Sequence, residues 1–170
     1  MLIAYADPPY PGCAHLYEEQ TEVDHAGLIA RLDAVADGWA LSTHTNALRD
    51  VLPLCPPRAR VAAWVKPFAS FKPGVNPAYA WEPVIFVPAR KRPRTAPTVR
   101  DWVSASITLR RGLAGAKPRA FALWLFELLA AEPIDTLVDV FPGTGAIASA
   151  WLQWRSSFDT LWGEPACHAR

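Results

Sequence analysis

The chain has 170 residues, a mass of 18.7 kDa and a formal net charge of +1. This length is enough for one domain with a hydrophobic core and too short for two ordinary domains. Hydrophobic residues make up 51% of the sequence and charged residues 19%, so the composition excludes a disordered, collagen-like or polyionic chain. No apolar run is long enough to span a bilayer, and the amino terminus does not resemble a secretory leader. We expect one intracellular domain, 1–170, that does not associate with membranes.

The predicted elements alternate between strands and helices. Strands are predicted at 2–6, 39–43, 61–65, 84–87, 137–140 and 160–162, and helices at 23–35, 46–52, 117–128 and 146–154. A loop rich in proline and aromatic residues is expected at 67–83, and a mainly irregular insertion at 88–116. This alternation indicates an α/β fold with a mostly parallel sheet of about six strands and helices on both faces. In such folds ligands bind beyond the carboxyl ends of the strands.

Charge is unevenly distributed along the chain. Eight carboxylates and two basic residues precede Arg58, whereas the stretch 90–119 contains nine basic residues and one carboxylate, Asp101. A basic segment suits a polyphosphate partner, because each neutralised phosphate releases condensed counterions. Binding of nucleic acid is therefore one interpretation of this segment, and a solvated basic loop is the other.

A short glycine turn, 141–145, separates the predicted strand 137–140 from the helix that follows. Gly143 and Gly145 allow the backbone to approach a ligand and point the helix amino terminus at it, although a tight turn without a ligand has the same pattern. Glu164 ends the next predicted strand, roughly 20 residues later, where an acidic side chain can accept hydrogen bonds from ribose hydroxyls. The lysine of a triphosphate-binding loop is missing, so the pattern favours a cofactor that contains a ribose and no triphosphate.

The first predicted strand ends at Asp7-Pro8-Pro9-Tyr10. This tetrapeptide offers a carboxylate, carbonyl groups on a stiff backbone and an aromatic ring. An exocyclic amine of a nucleobase has two hydrogens, which Asp7 and the Pro8 carbonyl can accept while Tyr10 stacks on the ring. The alternative is a turn that ends a strand and buries a tyrosine. The first interpretation predicts chemistry on a base nitrogen.

The two motifs together resemble the S-adenosylmethionine-dependent amino-methyltransferases of DNA, which methylate adenine N6 or cytosine N4. Asp7-Pro8-Pro9-Tyr10 resembles their DPPY catalytic motif and 139–145 resembles their FxGxG cofactor motif, in the order of the permuted beta group. Lys117-Pro118 is similar to the KP element of this family, and 81–85 is similar to its aromatic-Glu segment. The resemblance covers most of the chain and implies a permuted, Rossmann-like methyltransferase fold.

Roles for individual residues follow from the resemblance. It implies catalytic roles for Asp7, Pro8, Pro9 and Tyr10, and contacts to S-adenosylmethionine from Asp7, Lys117, Asp139, Phe141, Gly143, Thr144, Gly145 and Glu164. Asp139 would lie near the methionine amine, Lys117 near the methionine carboxylate and Glu164 on the ribose. An aspartate in the first motif is more typical of the adenine enzymes, so the resemblance favours adenine N6 over cytosine N4.

Base access requires either extrusion from a duplex or a single strand, and both call for stacking and phosphate contacts. Phe68, Phe71, Tyr79 and Trp81 lie in the loop 67–83, where Tyr79 or Trp81 would face Tyr10 across the base. The alternative is a small hydrophobic cluster under a long loop. The residues predicted to contact nucleic acid, with DNA favoured, are Lys66, Lys72, Tyr79, Trp81, Arg90, Lys91, Arg92 and Arg94.

Several alternatives stay open. The chain ends six residues after Glu164, so we expect one strand of the family to be lacking, modest cofactor affinity and a sheet edge that a homodimer would cover. The segment 88–116 is small for a target-recognition domain. The histidines and cysteines lack the spacing of metal ligands, so no metal is expected. Methylation of adenine in RNA, methylation of cytosine N4, and a catalytically inactive nucleic-acid-binding module are the rival functions.

Overall fold

The computed structural model describes residues 1–12, 22–67, 74–110 and 113–159. The strands are β1 (Leu2–Ala6), β2 (Gly38–Ser42), β3 (Arg60–Val65), β4 (Trp81–Val87), β5 (Trp102–Ser104), β6 (Thr108–Arg110), β7 (Leu113–Ala116) and β8 (Thr136–Asp139). The helices are α1 (His25–Val35), α2 (Leu48–Val51), α3 (Arg119–Leu128) and α4 (Ala146–Asp159), and a 3-10 turn, Leu52–Leu54, follows α2. None of the helices described is long and apolar enough to cross a membrane.

Six strands form the main sheet in the order β5-β3-β4-β2-β1-β8. β1 is parallel to β2 and β8, β3 is parallel to β5, and β4 runs antiparallel to both β2 and β3. β4 therefore runs against the other five strands. We call the edge at which β1, β2 and β8 end the carboxyl edge, and the opposite one the amino edge. The predicted α/β, Rossmann-like fold is confirmed.

Side chains of β1 alternate between two hydrophobic cores, one on each face of the sheet. Ile3 and Tyr5 pack in the core that contains α3 and α4, with Phe121 and Trp151. Ala4 and Ala6 pack in the other core, which contains α1 and α2. A strand that is buried on both faces reads as a continuous apolar run, which is the pattern of 2–6. The expectation of helices on both faces is confirmed.

Local sequence signals explain where several elements begin. Asp24 caps α1, because its carboxylate accepts a hydrogen bond from the backbone N–H of Gly27 at 3.0 Å. α3 begins at Arg119 with Pro118 as its N-cap, so the ring precedes the first helical residue. Gly38 starts β2 where a Cβ would lie 2.3 Å from the backbone nitrogen of Ala89, a separation that only glycine allows.

The structure corrects some predicted boundaries. β4 begins at Trp81 and not at 84, and it includes Pro83, which pairs with Ala63 inside the sheet. The segment 88–116 is mainly irregular, as predicted, but it also contains strands that the sequence did not predict: β5, which joins the main sheet, and the hairpin of β6 and β7. β8 starts one residue earlier than predicted, and α4 continues to Asp159. The predicted strand 160–162 lies outside the described residues, so β5 is the sixth strand of the sheet observed here.

Candidate active site

The two motifs singled out in the sequence follow neighbouring parallel strands. β1 and β8 pair side by side with Tyr5 opposite Asp139, and Val140 donates a backbone hydrogen bond to the carbonyl of Tyr5 at 2.8 Å. Asp7 follows β1 directly and Asp139 is the last residue of β8. Asp7, Asp139 and the glycine turn therefore meet at the carboxyl edge, where parallel sheets bind their ligands.

Asp7 belongs to a group of charged side chains that we call the lysine–carboxylate cluster, made of Asp7, Lys66, Glu82 and Lys117. The Lys117 ammonium lies 3.0 Å from Oδ2 of Asp7 and 3.1 Å from Oε2 of Glu82. Lys66 pairs with the other oxygen of Glu82, Oε1. The Lys117 side chain is only 7% exposed, so these contacts replace water around a buried charge. The cluster has two positive and two negative charges.

The charges of the cluster shift one another's pKa values. Burial by itself lowers the pKa of Lys117, but the neighbouring Tyr5, Asp7 and Glu82 outweigh burial and raise it above its usual value. Burial raises the pKa of Glu82, and the two lysines more than reverse this, so that its pKa is lowered. Glu82 and Lys117 thus stay charged across the physiological pH range. Burial, followed by the charge of Asp7, raises the pKa of Tyr5, whose hydroxyl lies 2.8 Å from Oγ of Ser42.

Three buried side-chain oxygens in the described part of the chain have no hydrogen-bond partner, and all three lie at the carboxyl edge. They are Oδ1 of Asp139 and the hydroxyl oxygens of Thr43 and Thr45, which follow β2. An unsatisfied buried polar group costs about 1–3 kcal/mol. Burial, and then the charge of Asp7, raises the pKa of Asp139 to about 6. A ligand with N–H donors or a positive charge would satisfy this carboxylate.

The glycine turn after β8 leaves space beside Asp139. Gly143 and Gly145 have φ values of +46° and +70°, a backbone conformation that favours glycine. No atom lies within 4 Å of the position where Gly145 would have a Cβ. α4 begins at Ala146, so the turn leads directly into the amino terminus of a helix. Phe141 packs against the core on the α1 side of the sheet, while Pro142 and Thr144 are exposed.

Three aromatic rings form a row beside Asp7. The ring centroids of Tyr10 and His44 are 5.8 Å apart, and those of His44 and Tyr79 are 4.5 Å apart with a T-shaped arrangement. The amide of Asn46 donates a hydrogen bond of 2.6 Å to the Tyr79 hydroxyl. The segment between β3 and β4 thus brings Tyr79 into the same row of rings as Tyr10. No sequence pattern places His44 in this row, because the three rings come from separate segments of the chain.

Comparisons with known proteins identify the fold. No protein-family model and no curated protein matches the sequence. M1.HpyAVI in its complex with SAM has a TM-score of 0.62 and 14% identity, and the match covers 89% of this chain and 77% of that one. M1.HpyAVI alone has a TM-score of 0.57 and 12% identity, with coverage of 90% and 75%. The chain shares the Rossmann-like α/β fold of these two structures.

Other residues predicted to contact nucleic acid have partners within the chain, are exposed, or lie outside the described residues. Lys66 pairs with Glu82, and its ammonium lies 4.9 Å from the centroid of the Trp64 ring, so its charge is already neutralised. Trp81 starts β4 at the carboxyl edge and is 38% exposed. Phe68, Phe71, Lys72 and Glu164 lie outside the described residues, as do the cysteines at 13 and 167 and the histidines at 15 and 168.

The basic residues after β4 lie at the amino edge, away from Asp7. Arg90 forms two hydrogen bonds with Asp135, at 2.7 and 2.8 Å, and Arg92 pairs with Glu127 at 2.6 Å. Lys91 and Arg94 are exposed and have no carboxylate partner among the described residues. The four basic residues line a cleft of about 830 Å³ together with β4 and the end of α3. The structure therefore separates this basic cleft from the cluster at the carboxyl edge.

No group of three His, Cys, Asp or Glu side chains in the described ranges could hold a metal ion. At the carboxyl edge, the described residues offer three carboxylates, a lysine pair, threonine hydroxyls and aromatic rings. These groups can bind and orient a planar amine and a cationic cofactor without a nucleophilic side chain aimed at the site.

Proposed function

We propose that this chain transfers a methyl group from S-adenosylmethionine to the exocyclic amine of a base in DNA, with adenine N6 as the favoured target. The observation that carries this proposal is the meeting of Asp7 and Asp139 at the ends of adjacent parallel strands. One of these carboxylates has a lysine partner, and the other has an oxygen without any partner in the described structure. The resemblance of Asp7-Pro8-Pro9-Tyr10 to the catalytic motif of the amino-methyltransferases of DNA supports DNA as the substrate.

The residues at the glycine turn fit S-adenosylmethionine. The orphaned Oδ1 of Asp139 would accept a hydrogen bond from the α-ammonium group of the cofactor, which removes the cost of its burial. Phe141, Gly143, Thr144 and Gly145 would form the surrounding pocket, and Glu164 would accept hydrogen bonds from the ribose hydroxyls. Lys117 would contact the methionine carboxylate, which would have to compete with Asp7 and Glu82 for the lysine ammonium. The complex of M1.HpyAVI with SAM supports this cofactor.

The target amine is held by the first motif. Lys117 contacts Oδ2 of Asp7, and Oδ1 of Asp7 has no hydrogen-bond partner among the residues described. Oδ1 would accept one amine hydrogen and the carbonyl oxygen of Pro8 the other, while Pro9 stiffens the turn. Tyr10, His44 and Tyr79 would stack on or flank the extruded base, at about 1–3 kcal/mol per stacked base.

Bound S-adenosylmethionine supplies the methyl group, whose bond to sulfur breaks as its bond to the base nitrogen forms. Hydrogen bonds from the amine to Asp7 and Pro8 keep the nitrogen lone pair directed at the methyl carbon. Positioning of this kind converts a bimolecular step into an effectively unimolecular one. The departing amine proton has Oδ1 of Asp7 as its nearest acceptor, and no covalent intermediate with the protein is required.

Fewer basic residues are assigned to phosphate contacts than the sequence predicted. We propose that Lys91 and Arg94 contact phosphates, because both are exposed without carboxylate partners in the described structure, whereas Arg90 and Arg92 are ion-paired. Trp81 and Lys72 would contact the strand beside the base. Lys66 contributes to the site mainly through Glu82. Methylation of RNA adenine or of cytosine N4 uses the same residues and is the nearest alternative.

Two measurements test the function. Calorimetric titration with S-adenosylmethionine should show saturable binding that weakens in Asp139→Ala. Incubation with isotope-labelled cofactor and DNA, RNA or free nucleotides, followed by nucleoside analysis by mass spectrometry, should yield N6-methyladenine from DNA. Absence of cofactor binding at millimolar concentration would leave a nucleic-acid-binding module as the function, and N4-methylcytosine or methylated RNA would replace adenine in DNA as the target.

A further inference from the structure

Glu82 lies in the segment 81–85, whose resemblance to the family's aromatic-Glu segment did not suggest a role for it. It belongs to the antiparallel strand β4, and its side chain is 13% exposed. Its two carboxylate oxygens bind two different lysines, Oε1 with Lys66 and Oε2 with Lys117. A carboxylate that is divided between two ammonium groups fixes the direction of both. Glu82 is thus placed to control where the Lys117 ammonium lies.

Lys117 in turn contacts the carboxylate that the proposed function uses. Its ammonium lies 3.0 Å from Oδ2 of Asp7, and the same ammonium lies 5.1 Å from the centroid of the Trp64 ring. Lys66 lies 4.9 Å from that ring centroid, so the Trp64 ring contacts both lysines. Lys117 has four rotatable bonds, and without Glu82 it would have only Asp7 and aromatic rings to hold it in place.

We propose that Glu82 is a positioning residue, which holds Lys117 against Oδ2 of Asp7 and thereby leaves Oδ1 of Asp7 directed at the target amine. This inference rests on the proposed function for its effect on methyl transfer, but the contact chain Glu82–Lys117–Asp7 can be tested without any transfer. Glu82 touches neither base nor cofactor in this scheme. Its loss should therefore lower kcat much more than it changes the binding of cofactor.

The charge balance decides which variants to compare. Glu82→Gln alone leaves two buried lysines with one carboxylate, a change that destabilises proteins and can prevent folding. The double variant Glu82→Gln/Lys66→Met removes one negative and one positive charge and keeps the cluster neutral. Lys66→Met alone keeps Glu82 on Lys117 and serves as its reference. Both variants lack Lys66, so any contact of Lys66 with nucleic acid is lost from both and cancels in the comparison.

The first readout is the reactivity of the Lys117 amine toward acetic anhydride, followed by peptide mass spectrometry. In Lys66→Met we expect Lys117 to be protected, because it is buried and paired with two carboxylates. In the double variant we expect its rate of acetylation to rise at least fivefold, since the ammonium loses one partner and becomes mobile. Equal protection of Lys117 in the two variants would overturn the inference, whether or not the protein is a methyltransferase.

The second readout is steady-state methyl transfer with the DNA substrate. We expect kcat of the double variant to be at least tenfold below that of Lys66→Met, with the Kd of S-adenosylmethionine and the KM of DNA within threefold. A kcat within threefold of the reference would overturn the positioning role. If wild-type protein neither binds S-adenosylmethionine nor transfers methyl groups, the proposed function fails, and the acetylation rates alone decide whether Glu82 holds Lys117.

Discussion

The two edges of the sheet bury charge in opposite ways. At the amino edge, both oxygens of Asp135 are satisfied: Oδ1 accepts hydrogen bonds from Arg90 and the Met1 ammonium, and Oδ2 accepts them from Arg90 and the backbone N–H of Glu132. At the carboxyl edge, one oxygen of Asp139 is buried without a partner in the described structure, and burial raises its pKa to about 6. Burial acts on both carboxylates, but only Asp135 has cations beside it.

This difference separates stabilisation from ligand binding. A carboxylate whose partners all come from the chain stabilises the fold, and breaking one such buried pair costs about 3–5 kcal/mol. A carboxylate with an unused oxygen reduces stability slightly and provides a place for a ligand's positive group. The comparison predicts that substitutions at the amino edge lower the free energy of unfolding. Substitutions at the carboxyl edge should instead lower the rate of methyl transfer or the affinity for cofactor.

The largest expected effect follows from Asp7→Ala. Removing the carboxylate that holds the amine should lower the rate of methyl transfer by at least about 1000-fold, while Lys117 keeps Glu82 as its partner and the fold persists. Transfer assays and calorimetric titration with S-adenosylmethionine measure the two properties separately. Asp50→Ala, at an exposed aspartate of α2, is the matched control and should retain full activity. Comparable activity in the Asp7 and Asp50 variants would refute the role of Asp7.

The second prediction concerns Asp135→Asn at the amino edge. It removes the charge of a fully buried carboxylate and leaves the partly buried Arg90 with a weaker partner, so the free energy of unfolding should fall by about 3–5 kcal/mol, as measured by urea denaturation. Glu132→Gln, which removes a half-exposed carboxylate 3.5 Å from Arg90, should cost less than about 1 kcal/mol. Equal losses in the two variants would contradict the distinction between the edges.

The difference in unfolding free energy between wild type and Asp135→Asn should depend on pH. Although burial raises the pKa of Asp135, its hydrogen bonds with Arg90 and other donors outweigh this and lower the pKa to about 2, below its usual value of 3.8. The stabilisation by Asp135 is therefore complete above about pH 4 and is lost as pH falls toward 2. The gap in unfolding free energy between wild type and Asp135→Asn should narrow over this range.

A smaller effect is expected on cofactor affinity at the carboxyl edge. With a pKa of about 6, Asp139 is mostly neutral at pH 5 and mostly charged at pH 7, and only the charged form pairs with an ammonium. The affinity for S-adenosylmethionine should therefore rise about tenfold between pH 5 and pH 7. In Asp139→Asn the affinity should be low and nearly constant across this range. A parallel rise in both proteins would assign the pH dependence to another group.

The smallest effect is in the salt dependence of DNA binding. If Lys91 and Arg94 neutralise one phosphate each, log affinity should fall with log salt at a slope of about −2 for duplex DNA, compared with −3 to −4 if all four basic residues contributed. Fluorescence anisotropy over a range of salt concentrations measures this slope. Lys91→Ala should reduce it by about 1, while Arg92→Ala should leave it unchanged because Arg92 is paired with Glu127. A loss of slope in Arg92→Ala would contradict the assignment.

Apolar runs and turn residues in the sequence were sufficient to predict the three neighbouring parallel strands β1, β2 and β8. β1, β2 and β8 are apolar runs followed by turn residues, and these patterns are local. β5 was missed because a three-residue strand has no detectable alternation. Its place depends on tertiary contacts, such as the 2.8 Å hydrogen bond from the Trp64 indole to the carbonyl of Ala105. Pro83 hid the start of β4, since proline is rare inside a sheet. Pro83 lies just beyond the last β2–β4 pair, Ser42 with Val84, and its carbonyl accepts a hydrogen bond from the backbone N–H of Thr43.

The sequence motifs predicted the location of the candidate site, but not the ion pairs between its side chains. Asp7 and Asp139 were placed together because carboxyl ends of parallel strands share an edge. Lys66 and Arg90 were predicted to bind phosphates from their charge alone, and their carboxylate partners come from distant segments that no local pattern connects to them. The buried hydroxyls of Thr43 and Thr45 had no signal in the sequence beyond their position after a predicted strand.

The reversed direction of β4 connects the two edges of the sheet. This strand begins with Trp81 and Glu82 at the carboxyl edge and ends beside the basic cleft, so a single run of seven residues leads from the lysine–carboxylate cluster to the opposite edge. Under the proposed function, changes at the exposed Lys91 and Arg94 would alter contacts with DNA and leave Glu82, Lys117 and Asp7 in place.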